Sequence, residues 1–308
     1  MSLRLSVIIV NYNVKDLLSA CIRSLYKNLP ADEIEIIVVD NNSSEGSEAL
    51  IRQQFPSVIW IGNNFNAGFS AANNQGMKAA RANVMFLLNP DTEVMDGVLP
   101  ELLSKQEEFP NNVIIPKLLN SDGSLQISCW HFPKVWGVIF EALYLHRFIN
   151  VYNYSGETFD KVFNPDCASG AALLFGRNIY EATGGLDENM FWSEDIDFCY
   201  TATQKGMPLI YFPEYKIYHH SGKSSSSNLN IPISNQLLSK AKYLRKHYGW
   251  LNWFISLWFI FFQIVTRILI FSLLSVFKSE PYAKKRRAYF YTLRRFFEYV
   301  FLNSKSLT

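Results

Sequence analysis

The chain has few of the features that mark several common protein classes. Its four cysteines, Cys21, Cys129, Cys167 and Cys199, lie far apart in 308 residues and form no CxxC pair, which excludes a thiolate zinc site of the usual spacing. With 49% hydrophobic residues, a chain of this length builds a core without disulfides, and such cysteines are commonly buried as small hydrophobes. No GxGxxG follows the first apolar run, so the dinucleotide fingerprint of a dehydrogenase is missing. The stretch NYNVKDLL, which follows that run, also lacks the glycine-rich basic loop of a nucleotidyltransferase. There is no internal repeat and no long low-complexity segment. The first apolar run is short and is followed closely by Asn11, Asn13, Lys15 and Asp16, unlike a secretory signal, so the main domain is expected to stay in the cytoplasm. Charge is nearly balanced overall, at +2, but unevenly placed: from Lys278 onward there are eight Lys or Arg against two Glu. These basic residues gather beside an apolar stretch rather than over a recognition surface. That points to anionic lipid and away from nucleic acid.

What the chain does have is alternation. LSVIIV (5–10) is a continuous apolar run ended by Asn11-Tyr12-Asn13, and LLSACIRSLYKNL then carries a helical pattern. IEIIVVD (34–40) is a second buried strand ending at Asp40; a helix over 47–54 leads to VIWI, and AANNQGMKAAR reads as helix. VMFLL (84–88) is a fourth strand, ending in Asn89-Pro90-Asp91. Apolar strands alternating with helices predict an α/β fold with a mostly parallel, Rossmann-like sheet and helices on both faces. Ligands of such sheets bind beyond the carboxyl ends of the strands. Asn11, Asn13, Asp40, Asn66, Asn89 and Asp91 recur at or just after those ends. Each alone is also ordinary turn chemistry.

Beyond residue 110 the alternation weakens, with a long loop expected around VYNYSGETFDKVFNPD. ASGAALLFGR reads as a strand, the residues after Trp192 as an acidic turn opening a helix, and PLIYF as another strand. Residues 250–277 are long and apolar enough to cross a bilayer, yet Gln263 and Arg267 lie near the middle. Basic groups flank both ends: Lys240, Lys242, Arg245 and Lys246 before, Lys284, Lys285, Arg286 and Arg287 after. One crossing cannot keep both clusters on the same side. With the amphipathic basic tail AYFYTLRRFFEYVF, this predicts contact with membrane lipids at the cytoplasmic face, as a peripheral, re-entrant or single-pass segment. The alternatives are a buried helix and a partner-binding tail. Residues 1–240 are read as the main domain, halved near 110, and 241–308 as a membrane-associated helical region.

Three acidic elements can carry chemistry. Asp40 can accept a hydrogen bond from a base or ribose. Asp91, after the stiff Pro90, can hold a divalent cation against a diphosphate. Glu194-Asp195-Ile196-Asp197 opens a helix, where Asp195 is either a cap opposing the dipole or a base for an acceptor hydroxyl. His219 and His220 adjoin on an extended segment, so at most one enters a given site; both can also be ordinary surface or hydrogen-bonded residues.

Taken together, SVIIVNYN, IIVVDNNSSEGS, NNFNAGFSAANNQG, FLLNPD, CASGAALLFGR, GGLDENMFWSEDIDFCYTATQKG and HHSGKS resemble, in order and over about residues 5–225, the family 2 inverting glycosyltransferases of the rhamnosyltransferase-like branch. The resemblance implies a GT-A fold. It makes Asn11, Tyr12, Asn13 and Asp40 nucleoside-binding positions, and Asn66, Gly68, Phe69 and Asn73 donor-lining ones. It matches Asn89 and Asp91 to the family's DxD-type motif, with Asp91 the Mg²⁺ or Mn²⁺ ligand joined by His219. It makes Asp195 the catalytic base, with Trp192, Glu194 and Ser224 in support. The implied reaction is inverting transfer of rhamnose or another hexose from a dTDP-, UDP- or GDP-linked donor to a glycan or polyprenyl-diphosphate-linked acceptor in cell-surface polysaccharide synthesis. Thr201 stands where the family often has Arg, which bears on acceptor contacts. The QxxRW of processive synthases is absent, which implies one sugar per encounter. An inactive membrane-associated glycan-binding or scaffold protein is the alternative; it would be expected to have lost Asp91 or Asp195, and both are present.

Overall fold

The computed structural model describes residues 3–220, 229–277 and 279–301. They form two compact units. The first takes in residues up to 131, 154–188 and 194–221; the second takes in 132–153, 189–193 and the tail from 222.

The first unit begins with β1 (Leu5–Asn11), α1 (Lys15–Asn28), β2 (Ile34–Asp40), α2 (Ser47–Gln54), β3 (Ile59–Gly62), α3 (Phe69–Ala79) and β4 (Val84–Leu88). β1 pairs in parallel with β2 and β4, and β2 with β3. Alternate residues on these strands serve opposite faces. Leu5, Val7, Ile9, Ile36 and Val38 share one core with Leu18, Ile22 and Leu25 of α1. On the other face α3 comes so close that a Cβ on Gly76 would lie 2.4 Å from Ile8 Cγ2, so only glycine admits this helix.

The chain continues through β5 (Thr92–Val94), α4 (Val98–Glu108), β6 (Val113–Leu119) and β7 (Cys129–Trp130). After the second unit's α5 (Val135–Ala142), it adds β8 (Cys167–Ala168), β9 (Ala172–Gly176), α6 (Arg177–Thr183), α7 (Glu194–Gln204) and β10 (Leu209–His219). The main sheet runs β3-β2-β1-β4-β9-β6-β10-β5. The parallel pattern read from the first half holds through β4. β9 then enters antiparallel to both β4 and β6, and β5 closes the edge antiparallel to β10. The segments PLIYF and KIYHH are one strand. Its register against β6 shifts between Phe212 and Lys216, where Pro213 has no N–H to donate to the ladder. The loop expected around 151–166 contains a short 3-10 turn over Gly156–Asp160.

The second unit is helical: α5, α8 (Asn230–Phe277) and α9 (Ser279–Phe301). α8 is broken at Gly249, whose φ of 82° is left-handed. Its later part and α9 form an antiparallel hairpin, tied by Trp253 Nε1–H donating to Tyr299 Oη at 2.9 Å, by Phe261 against Phe296, and by Phe271 against Tyr289.

Candidate active site

The polar residues that end β1 and β2 bind one another. Asp40, 7% exposed, accepts Asn11 Nδ2 at 2.7 Å and Ser43 Oγ at 2.6 Å on Oδ1, and the Ser43 N–H at 2.9 Å on Oδ2. Asn13 takes a left-handed φ of 55°, which asparagine tolerates, and accepts the Ser44 N–H at 2.9 Å. The carboxylate thus braces the 41–44 loop against the end of β1. Tyr12 stands 47% exposed beside it.

Asn41 connects this loop to the next. Its Nδ2 donates to the Gly68 carbonyl at 3.2 Å and its Oδ1 accepts the Ala67 N–H at 3.3 Å. Asn66 Oδ1 accepts the Gly68 N–H at 3.0 Å, and Gly68, with φ 85°, opens α3. Asn73 is buried and spends its amide on the Phe69 carbonyl at 2.9 Å, within its own helix.

The Phe69 ring packs on Gly170, where a Cβ would meet it at 3.2 Å and meet Asp195 Cβ at 3.5 Å. Gly170 donates its N–H to Asp195 Oδ2 at 3.1 Å, and Ile196 donates to Oδ1 at 2.8 Å. Asp195 lies in the first turn of α7, where the helix dipole favours its charge. Burial nonetheless dominates and raises its pKa above the ordinary aspartate range, with the two N–H bonds offsetting part of the rise. A carboxylate that is fixed by backbone donors, partly open to solvent and of raised basicity is equipped to accept a proton. Glu194 and Asp197 flank it, and Thr201 turns inward to bond the Asp197 carbonyl at 2.8 Å. Trp192 belongs to the second unit and holds a left-handed φ of 77°, rare for so bulky a residue.

Ala171 carries the array onward, accepting the Asn89 N–H at 2.9 Å. Asp91 Oδ1 and His219 Nε2 lie 3.2 Å apart, and both side chains are largely buried. His219 Nδ1 faces Gln126 Oε1 at 2.6 Å, so that nitrogen carries a proton. Nε2 can turn its lone pair, together with the Asp91 carboxylate, towards a common cation. Asn89 Nδ2, 3.3 Å from Nε2, is a donor that suits the lone pair. A hard oxygen and an imidazole whose far nitrogen is pinned by an amide oxygen form a donor set that fits a divalent cation completed by phosphate oxygens or water. Among the described residues no cluster of three His, Cys, Asp or Glu is built to hold a metal unaided. His220 turns away, to Ser121 Oγ at 2.8 Å and Glu93 Oε1 at 3.2 Å, as the alternation of an extended segment requires.

Hydrogen bonds and packing therefore link Asp40, Asn41, Gly68, Phe69, Gly170, Asp195, Asn89, Asp91 and His219 at one end of the sheet. Ser224 lies outside the described residues. Two residues of this array, Gln126 and Gly170, carry little sequence signal: Gly170 sits in the small-residue run ASGAA, and Gln126 has no distinguishing neighbour. Cys21 reaches towards Asn89 and Thr92, but burial pushes its thiol up to about 12, which rules it out as a nucleophile at neutral pH.

Comparison with known proteins adds a family. Residues 6–174 match the model of the family described as "Glycosyl transferase family 2". The low-salt glycan biosynthesis hexosyltransferase Agl10 of Haloferax volcanii is 28% identical over 209 residues, 66% of this chain and 62% of that protein, so the match spans somewhat less than two thirds of it. The N-acetylglucosaminyl-diphospho-decaprenol L-rhamnosyltransferase of Mycobacterium tuberculosis is 24% identical over 235 residues, 70% of this chain and 76% of that one. Among solved structures, GalNAc-T7 with UDP, GalNAc and Mn²⁺ superposes with a TM-score of 0.61 at 15% identity, over 97% of this chain and 56% of that chain. The mannosyltransferase PcManGT of Pyrobaculum calidifontis with GDP-Man and Mn²⁺ gives 0.59 at 13% identity, over 98% and 88%. These likenesses establish a GT-A-like fold.

Proposed function

The chain belongs to glycosyl transferase family 2, and on that premise we propose that it is an inverting, non-processive transferase. It moves rhamnose or another hexose from a dTDP-, UDP- or GDP-linked donor to a glycan or polyprenyl-diphosphate-linked acceptor in cell-surface polysaccharide synthesis. The observation that carries this reading is Asp195, held by the Gly170 and Ile196 N–H groups with its pKa raised by burial. It takes the proton from an acceptor hydroxyl as that oxygen attacks the anomeric carbon. Attack from the side opposite the leaving nucleoside diphosphate inverts the configuration. Tyr12, Asn13 and the Asp40-braced loop receive the nucleoside, and Asn66, Gly68 and Phe69 border the sugar. Asp91 and His219 would hold Mg²⁺ or Mn²⁺, which when bound supplies positive charge to the departing diphosphate. Positioning of base and donor is the chain's main contribution to the rate.

The acceptor side of the reading draws on the second unit. In the later part of α8, an 18-residue window has mean hydropathy 2.1 and is only 22% buried. Trp250, Leu251, Phe254, Trp258, Phe262, Leu269, Leu273 and Val276 are exposed and fall along one face, while Gln263 and Arg267 are buried on the opposite one. α9 packs alongside and carries Lys284, Lys285, Arg286, Arg287, Arg294 and Arg295. If α8 crossed a bilayer, α9 would be drawn in with those six cations, at a cost of several kcal/mol. A hairpin lying in the plane of the cytoplasmic leaflet avoids this: the apolar face dips in and the cations meet anionic headgroups.

The test is a donor panel. The full chain, in lipid or detergent with Mg²⁺ or Mn²⁺, is incubated with dTDP-, UDP- and GDP-hexoses and a polyprenyl-diphosphate-linked sugar. Acceptor-dependent release of one nucleoside diphosphate is expected, with the product anomer inverted. Release from none, or retained configuration, overturns the reading.

A further inference from the structure

The helical unit borders an open cavity of about 650 Å³ that the sugar-transfer site does not use. Tyr144 and Arg147 from the turn after α5, Gln263 and Arg267 from α8, and Lys285 and Tyr289 from α9 line it. Arg267 is the telling group, only 4% exposed. Its Nη2 donates to the Glu141 carbonyl at 2.7 Å, while Nη1 and the neighbouring Gln263 Oε1 are buried without a hydrogen-bond partner among the described residues. A guanidinium cannot shed its proton at accessible pH, and this one leans on the Tyr144 ring, the Tyr289 hydroxyl and the Glu141 carboxylate. Glu141 also borders the cavity, but its carboxylate is engaged by Lys240 Nζ at 2.5 Å.

A second cation stands close by. The Arg267 guanidinium lies 3.3 Å from the centre of the Tyr144 ring and that of Arg147 lies 5.3 Å from the same ring. Tyr144 keeps a left-handed φ of 61°, a strained conformation for a tyrosine, in placing that ring. Two guanidiniums and the Lys285 ammonium outnumber the one carboxylate among the described residues that borders the cavity, Glu141, which Lys240 already engages, so a further anion is favoured there. Planar guanidinium forks match phosphate oxygens in pairs. The same cavity is apolar where Phe271 and Leu274 line it, and α8 continues from there into exposed Leu273 and Val276. A fitting ligand is therefore anionic at one end and hydrocarbon at the other.

We propose that this cavity binds the phosphate or diphosphate head of a membrane lipid, gripped by Arg147, Arg267 and Lys285, with the lipid chain leaving past Phe271 and Leu274. The site rests on the reading above only for where such a lipid comes from: an acceptor's diphosphate or the phosphate of a bulk anionic lipid.

The experiment titrates the full chain in detergent, with chelator and without donor, against farnesyl diphosphate, farnesol and dihexanoyl phosphatidylglycerol, by calorimetry. Farnesyl diphosphate is expected to bind at least about tenfold tighter than farnesol, one charged hydrogen bond's worth. Arg147→Ala with Lys285→Ala, both at exposed positions, is expected to weaken it by a further factor of about ten while the melting temperature holds. Arg267→Lys, which keeps the buried charge but loses the fork, is expected to weaken it as well. A preference for the diphosphate over phosphatidylglycerol assigns the site to an acceptor lipid, and equal affinity assigns it to bulk anionic lipid; either supports the proposal. Equal binding of farnesol, no binding at all, or parental affinity in the double variant overturns it. Asp195→Asn binds farnesyl diphosphate like the parent whether or not transfer occurs, so this site and the catalytic reading fail separately.

Discussion

Gly170 gives its N–H to Asp195 at 3.1 Å from a position where a single added methyl group would stand 3.2 Å from the Phe69 ring and 3.5 Å from Asp195 Cβ. The glycine therefore sets the place of the carboxylate through its N–H and through the space it leaves. Gly170→Ala tightens the ring contact by a few tenths of an ångström and shifts Asp195 rather than unfolding the sheet. Transfer is expected to fall by roughly ten- to a hundredfold, the scale of a misplaced catalytic group. The melting temperature should move by only about 2–4 °C. Paired kinetics and thermal melts check it; a loss of stability without a loss of rate refutes the positioning role.

The pH behaviour of Asp195 follows from burial. Its pKa is raised, so the base form is lost on acidification sooner than for an exposed aspartate. The acid limb of kcat/KM should lie above pH 3.8, the ordinary aspartate value. The stability sign runs the other way. A group whose folded pKa is raised contributes stability below its unfolded pKa, and that contribution is lost as pH rises through the folded pKa. Asp195→Asn is therefore expected to reduce transfer by about 10²–10⁴-fold and to leave the neutral-pH melting temperature equal or higher. A lowered melting temperature with transfer intact would make Asp195 a helix cap.

Gln126 is tied to His219 across 93 residues of sequence. By accepting the Nδ1 proton at 2.6 Å it leaves Nε2 as the nitrogen that faces Asp91. Gln126→Leu frees the ring to change tautomer and orientation. The metal concentration for half-maximal activity is expected to rise about 10- to 100-fold, the usual cost of losing such a support, with kcat recovering at high metal. An unchanged metal titration with an altered donor KM would move Gln126 to the donor instead.

How far these features could be read in advance depends on range. β1 to β4 are legible because each is a short apolar run with Asn or Asp at its end or just beyond it, and their polar ends gather as parallel strands demand. The antiparallel entry of β9 leaves no such mark, since a strand buried on both faces looks the same in either direction. Asp195 as a base is what the family pattern implies; by spacing alone it reads equally as a cap, and its bonds to the Gly170 and Ile196 N–H groups arise only in the folded chain. Gln126 sits in LQIS, a stretch with nothing to distinguish it, and its role exists only once β10 returns beside it. Likewise Gln263 and Arg267, which argued against simple crossing, prove to be buried on the α5 side of α8.

Far from the candidate site, Glu35 offers a test of what holds the first strands together. Its carboxylate is 5% exposed and accepts Ser6 Oγ at 2.5 Å, the Arg81 N–H at 2.5 Å and Arg81 Nε at 2.7 Å. Burial alone would raise its pKa. The three bonds and the guanidinium charge together exceed that effect, and the pKa falls below 4.5. A depressed folded pKa contributes stability above the unfolded value, and that contribution is lost as pH falls through the folded one. Glu35→Gln keeps the shape but supplies one oxygen and an unwanted amide donor beside Arg81. It is expected to cost about 2 kcal/mol at neutral pH, the scale of hydrogen bonds to a charged group. The difference from the parent should shrink as pH drops from 4.5 through the lower folded pKa, as the unfolded and then the folded carboxylate becomes neutral. Denaturant unfolding at several pH values measures this directly: two curves that stay parallel into acid would mean that the Glu35 charge contributes nothing and that only its packing matters.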